Sequence, residues 1–124
     1  MYNQKVIDLF TNPINAGAMK GANAIGIAES ENQGDRLKLY LKINEENIIE
    51  DASFETYGCA AAIASSSMFT QLIKGKKLGD ALKINNEQIV KHLGGLPEHK
   101  IQCSVLAGEA IKSAVKYFNK MKNK

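Results

Sequence analysis

Cys59 and Cys103 are the residues whose type and setting best suit covalent or metal chemistry in this 124-residue chain. Each stands where a turn leads into a helical pattern. Cys59 follows the strand-like run ending Thr56, Tyr57, Gly58 and precedes AAAIASSS; Cys103 follows the Gly/Pro-rich residues 94–97 and directly precedes SVLAGEAI. Unpaired N–H groups and the positive end of the helix dipole favour an anion at such a place. A thiol held there ionises more readily, and the thiolate is the form that binds metal or accepts sulfur. The alternative is that each cysteine is a small buried hydrophobe. Asp35, in the Gln33, Gly34, Asp35 turn, is either a solvated turn residue or an oxygen ligand at a metal edge. His99 and Lys100 lie in the loop before Cys103, where solvated side chains are the ordinary case. His92, near the end of a helical run, suits interaction with that end better than metal binding.

The elements that must position these residues can be read from periodicity. Val6, Ile7 and Phe10 predict a helix over residues 2–11, closed by Thr11, Asn12 and Pro13. Residues 14–23, rich in Gly, Ala and Asn, read as an irregular connection, and residues 24–28 as a first strand. Leu37, Leu39, Leu41 and Ile43 alternate with Lys38, Tyr40 and Lys42, the pattern of a strand with one buried face. Residues 44–47 form a polar turn, and residues 48–57 an antiparallel partner. From Ala60 a helix is expected to end near Gly75, its small first residues allowing close approach of a neighbour. A short helix is expected over residues 77–82. Asn85 with Gln88 resembles a capping box opening another helix through about Leu93. A last helix from about Ser104 carries Ala107, Ala110, Ile111, Ala114, Val115, Phe118 and Met121 on one stripe. Strands first and helices afterwards predict one α+β domain over residues 1–124, with helices packed on a small sheet.

Composition narrows the function classes. No apolar run approaches the roughly 18 residues of a membrane span, and the N-terminal residues lack the pattern of a secretory leader. The expected address is cytoplasmic, where the two cysteines are thiols rather than a disulfide. Fifteen of the sixteen basic residues are lysines, and net charge is only +3. Lys112, Lys116, Lys120, Lys122 and Lys124 read as a solvated face at a helix C-terminus, not as a nucleic-acid surface, which would bring arginines and interleaved aromatics. No Ser/His/Asp set, phosphate-binding glycine loop or acid/base pair points to an enzyme. A thiol oxidoreductase would require Cys59 and Cys103 close enough to bridge, with Cα atoms within about 7 Å.

Longer segments carry a resemblance. IIEDASFETYGCAAAIASSS, residues 48–67, resembles the central TYGCGSAIASSS segment of IscU/NifU-type iron–sulfur cluster assembly scaffolds. LPEHKIQCSVLAGEAIKSA, from Leu96, resembles that family's LPxxKxHCSxLAxxAI motif, and KVIDLFTNPINAG its KVIDHYxNPRNVG opening. The matches run in order across nearly the whole chain. The resemblance implies the α+β SufE/NifU fold, with a three-stranded antiparallel sheet and helices packed on one face. It implies that the protein is not an enzyme but a scaffold that takes iron and sulfur, the latter from a cysteine desulfurase as a persulfide. The resulting labile [2Fe–2S] cluster passes to apo iron–sulfur client proteins.

Such scaffolds use three cysteines, an aspartate two residues after the first cysteine, and a lysine and a histidine just before the third. By resemblance, Cys59 and Cys103 are metal ligands and sulfur acceptors, Asp35 is the aspartate and Lys100 the motif lysine. Gln33 stands in place of the first cysteine and Gln102 in place of the histidine. Pro97 keeps one proline of the loop that Hsp70-type chaperones read in some members, whereas Glu98 and His99 replace the Pro-Val that follows it. A [2Fe–2S] cluster takes four protein ligands, preferably thiolates. The alternatives are a cluster bridging the paired cysteines of a homodimer, or one held in a single chain with Asp35 and a further ligand such as His99. A zinc site of Cys59, Cys103 and Asp35 is also open, as is a cluster-free paralogue that binds the desulfurase or a client, or a glutamine introduced by engineering.

Overall fold

The alternation of Leu37, Leu39, Leu41 and Ile43 does become a strand with one buried face, each of the four being 4% exposed or less. In the computed structural model, which describes residues 2–30, 34–97, 101 and 104–122, this strand is the middle of a three-stranded antiparallel sheet. The strands are β1 (Ala24–Glu29), β2 (Arg36–Ile43) and β3 (Ile49–Tyr57), in the spatial order β1-β2-β3. Ala24, Gly26 and Ala28 of β1 pair with Leu41, Leu39 and Leu37, and Phe54 and Ala52 of β3 pair with Leu39 and Leu41. Because the side-chain period is two, this register collects every small or apolar residue of that set on one face.

The β2–β3 turn follows from its asparagines. The Asn44 side chain accepts hydrogen bonds from the amides of Glu46 and Ile48, and Asn47 adopts φ +62°, a conformation asparagine tolerates better than most residues.

Helices cover the buried face. They are α1 (Gln4–Thr11), α2 (Ala60–Ile73), α3 (Leu78–Ala81), α4 (Asn86–His92) and α5 (Val105–Lys122). The expected capping box opens α4: Asn85 accepts from the Gln88 amide while the Gln88 side chain accepts from the Asn85 amide, both at 2.9 Å. His92 donates from Nδ1 to the Gln88 carbonyl one turn back, as its helix-end position suggests. α5 is amphipathic, burying Leu106, Ala107, Ala110, Ile111 and Ala114 while Lys112, Lys116, Lys120 and Lys122 are exposed.

α2 is different. It is buried nearly all round, packing against β3, α1, α4 and α5. That burial explains its polar run. Ser67 Oγ donates to the Ile14 carbonyl and accepts from the Ile14 amide, and Thr70 Oγ1 accepts from Asn15. The irregular residues 14–17 are thereby tied along the free edge of β3, where the Phe54 amide donates to the Asn15 carbonyl and the Gly17 amide to the Phe54 carbonyl. At the opposite edge, Ser113 of α5 accepts from the Ile27 amide. Covered edges of this kind remove the open ladder through which strands of different chains pair. Among the described residues, no helix is long and apolar enough to cross a membrane.

Candidate metal centre

Two of the sequence-predicted site residues are brought together by strand register. Arg36 at the start of β2 pairs with Tyr57 at the end of β3. One residue beyond that pair on each strand are Asp35 and Gly58, and the next residue is Cys59. Asp35 is only 6% exposed. Its side chain lies against Gly58, so closely that a methyl group there would sit 2.7 Å from Oδ1. Its carbonyl accepts from the Ser30 amide at 2.8 Å, which anchors the end of the β1–β2 connection. Gly34 supplies the turn with φ +71°, a left-handed conformation in which a glycine costs nothing sterically.

Cys59 occupies the N-cap position of α2, with extended φ and ψ of −74° and 171°. Its carbonyl accepts from the amides of Ala62 and Ile63 at 3.0 and 3.2 Å, while its thiol makes no capping bond to the helix. The residue stands at the positive end of a 14-residue helix. No acidic residue occupies the first turn of α2 to offset that field. Cys59 is half-buried and packs, with Tyr2 and Leu96, against the buried Ala61 and Ala62.

A thiol and a carboxyl group thus lie at one sheet–helix junction, side-chain types that bind iron or zinc. Among the described residues no group of three or more His, Cys, Asp and Glu side chains converges. The expected further participants, Cys103, His99, Lys100, Gln33 and Gln102, lie outside the described residues. So does the Cys59–Cys103 separation on which an oxidoreductase reading turns. Of the chaperone-type loop, Leu96 and Pro97 are described; Leu96 brings the end of that stretch to the Cys59 cluster. Sequence reading passed over Tyr2 and Gly58. Tyr2 is distant in sequence from Cys59, and nothing in its local pattern marks it. Gly58 stands within the TYGC run, where a glycine at a strand–helix junction could have been questioned.

A half-buried cysteine at the N-cap position of the central helix, with a buried aspartate against the preceding glycine at the end of a three-stranded antiparallel sheet, is the frame of this site. The chain belongs to the NifU-like N terminal domain family, whose model matches residues 1–124. Among its relatives is the nitrogen fixation protein NifU of Azotobacter chroococcum, 52% identical over 115 residues that make up 92% of this chain and 37% of that protein. The chain therefore spans little more than a third of that relative. An iron–sulfur cluster assembly scaffold protein IscU of Archaeoglobus fulgidus is 46% identical over 97% of this chain and 78% of its own length. The IscU of Buchnera aphidicola from Schizaphis graminum is 46% identical over 99% of this chain and 98% of its own. Among solved structures, a scaffold protein described for the SUF system of Fervidobacterium islandicum superposes with a TM-score of 0.75 at 20% identity, covering 92% of this chain and 96% of that one. The N-terminal part of a NifU-like protein from Brucella abortus gives 0.72 at 18% identity, covering 95% and 94%. At those identities the likeness is one of fold.

Proposed function

We propose that this protein is a scaffold on which an iron–sulfur cluster is assembled before transfer to apo-proteins, the cluster being cargo rather than a resident cofactor. The observation that carries the reading is the placement of the buried Asp35 carboxylate against the Gly58–Cys59 turn at the N-terminus of α2, in a chain whose relatives are named as cluster assembly scaffolds. The nucleophile is the Cys59 sulfur as thiolate, the form of a thiol that accepts sulfur. That thiolate attacks the outer sulfur of a cysteine desulfurase persulfide. The S–S bond breaks, the desulfurase thiolate leaves, and Cys59 carries the persulfide. Two electrons from an external reductant then release the sulfur as sulfide for iron to bind. Cys59 and Cys103 are the principal ligands and sulfur acceptors, and Asp35 is a weaker oxygen ligand that keeps the product exchangeable. His99 and Lys100 are proposed to assist as ligand or in sulfur transfer. Two chains together provide four thiolates from these cysteines, enough for one bridging [2Fe–2S] cluster. The partners are a cysteine desulfurase and apo-proteins that take clusters, and the place of action is the cytoplasm.

Gln33 offers a neutral amide where a thiolate would bind far better. Its replacement therefore tests the site directly. The protein is reconstituted anaerobically with iron, sulfide and a desulfurase, and bound iron, acid-labile sulfide and solution mass are measured together. The expected result is one [2Fe–2S] unit per dimer, lost in both Cys59→Ser and Cys103→Ser. Gln33→Cys is expected to lengthen cluster lifetime by about tenfold, the scale of a substantial change in metal binding. Iron and sulfide contents unchanged in both serine variants would refute the assignment. Metal bound without sulfide would favour a zinc centre instead.

A further inference from the structure

We infer that Gly58 is a positioning residue: the space left by its absent side chain is where the Asp35 carboxylate lies beside the Cys59 turn. A Cβ on Gly58 would stand 2.7 Å from Asp35 Oδ1, 3.0 Å from its Cγ and 3.1 Å from the Ala62 Cβ. The backbone itself does not demand glycine here. Gly58 is absent from the positive-φ residues, unlike Gly34 in the preceding connection. What glycine supplies is room, and the neighbour that takes up the room is the carboxylate.

Asp35 has little freedom to retreat. It is 6% exposed, its own carbonyl is bonded to the Ser30 amide, and the adjoining Arg36–Tyr57 pair fixes the strand ends. On the other side Ala62, in the first turn of α2, is 1% exposed and closes the space from the helix. A methyl group on Gly58 therefore has to displace the carboxylate, the lighter of the two obstacles. Gly58 acts on the site through Asp35 rather than by touching metal. The consequence for the cluster rests on the scaffold reading, whereas the steric relation does not.

The test is a double-mutant cycle of Gly58→Ala and Asp35→Ala, read in two ways. In the metal-free protein, Gly58→Ala is expected to lower Tm by about 5 °C, the scale of a mild overpacking. It should lower Tm much less when Asp35 is already alanine, because the obstructing carboxylate is then gone, while the contact with Ala62, common to both backgrounds, cancels from the coupling. A Gly58→Ala chain that fails to fold, rescued by adding Asp35→Ala, would establish the same steric relation. In the reconstituted protein, the two single variants should change cluster lifetime in the same sense, by about tenfold. They should share one visible spectrum, and the double variant should match Asp35→Ala alone. That spectral identity is a readout that general loosening of the fold would not produce. Additive effects in both cycles, or a Gly58→Ala protein with wild-type Tm and wild-type cluster, would overturn the proposal. If the wild-type protein takes up neither iron nor sulfide, the scaffold reading fails on that result alone, and the metal-free cycle still decides what Gly58 does.

Discussion

At the scale of single residues, the outer face of the sheet shows how neighbouring charges fix a proton. The Tyr40 hydroxyl donates to the Glu55 carboxylate on β3, a diagonal cross-strand pair, and the Lys38 ammonium lies 5.3 Å from the Tyr40 ring centroid. The hydrogen bond to Glu55, followed by burial, pushes the phenol above its ordinary value of 10.0. A raised value means that the fold favours the protonated tyrosine. The resulting stability is fully present below the unfolded-state value and is lost as pH rises through the higher folded-state value. Tyr40→Phe is accordingly expected to lower stability by about 1 kcal/mol near neutral pH. That difference should vanish as the pH of the denaturant titration is carried above about 10. A difference that persists undiminished at high pH would assign the loss to packing instead. Neither Tyr40 nor Glu55 stood out in the sequence, because their pairing depends on strand register.

Among the elements, α5 and β1 approach closely. A Cβ on Gly26 would fall 1.9 Å from the Ala110 carbonyl oxygen and 2.5 Å from the Ala114 amide nitrogen, both backbone atoms that cannot swing aside. Ala110 and Ala114 are themselves fully buried, so the small residues of helix and strand meet face to face. Gly26→Ala should therefore force the helix off the sheet, at a loss of about 3 kcal/mol. Thermal unfolding would show this as a Tm lowered by about 10 °C or more. An unshifted Tm would mean that α5 can slide along β1 without loss. The sequence predicted both elements from their own periodicities. It could not reveal why residue 26 must be glycine, since the obstructing atoms lie more than eighty positions away. The serines of α2 make the same point: their neighbours suggested a helix, and only packing showed Ser67 and Thr70 holding residues 14–15.

Across the whole molecule, one apolar cluster joins the sheet to α1, α2, α4 and α5. Phe69 of α2 and Phe54 of β3 are 0% and 2% exposed within it. A core shared by so many elements unfolds as a unit. Phe69→Ala is expected to destabilise the protein by about 3–5 kcal/mol, with far-UV circular dichroism and tyrosine fluorescence following one urea transition. Two separate transitions would show that part of the structure holds without that centre. The same shared core carries the candidate metal centre, since α2 presents Cys59 while β2 and β3 bring up Asp35 and Gly58. The proposed ligands Cys59 and Asp35 thus stand at the margin of a packed sheet–helix junction.

What the sequence determined by itself was everything that depends on local periodicity and local chemistry. The strand alternation in Leu37–Ile43, the Asn85/Gln88 cap, the amphipathic stripe of α5 and the helix-start setting of Cys59 each follow from residues within a few positions of one another. The family motifs added the scaffold class and marked Asp35 as Cys59's companion. The tertiary structure decided which distant residues share a space. Antiparallel register set Asp35 beside Gly58, the depth of α5 against β1 made Gly26 necessary, and the burial of α2 turned its serines into anchors. These are contacts between segments far apart in the chain, where spacing along the sequence carries no information and only the close packing of the folded interior selects which atoms meet.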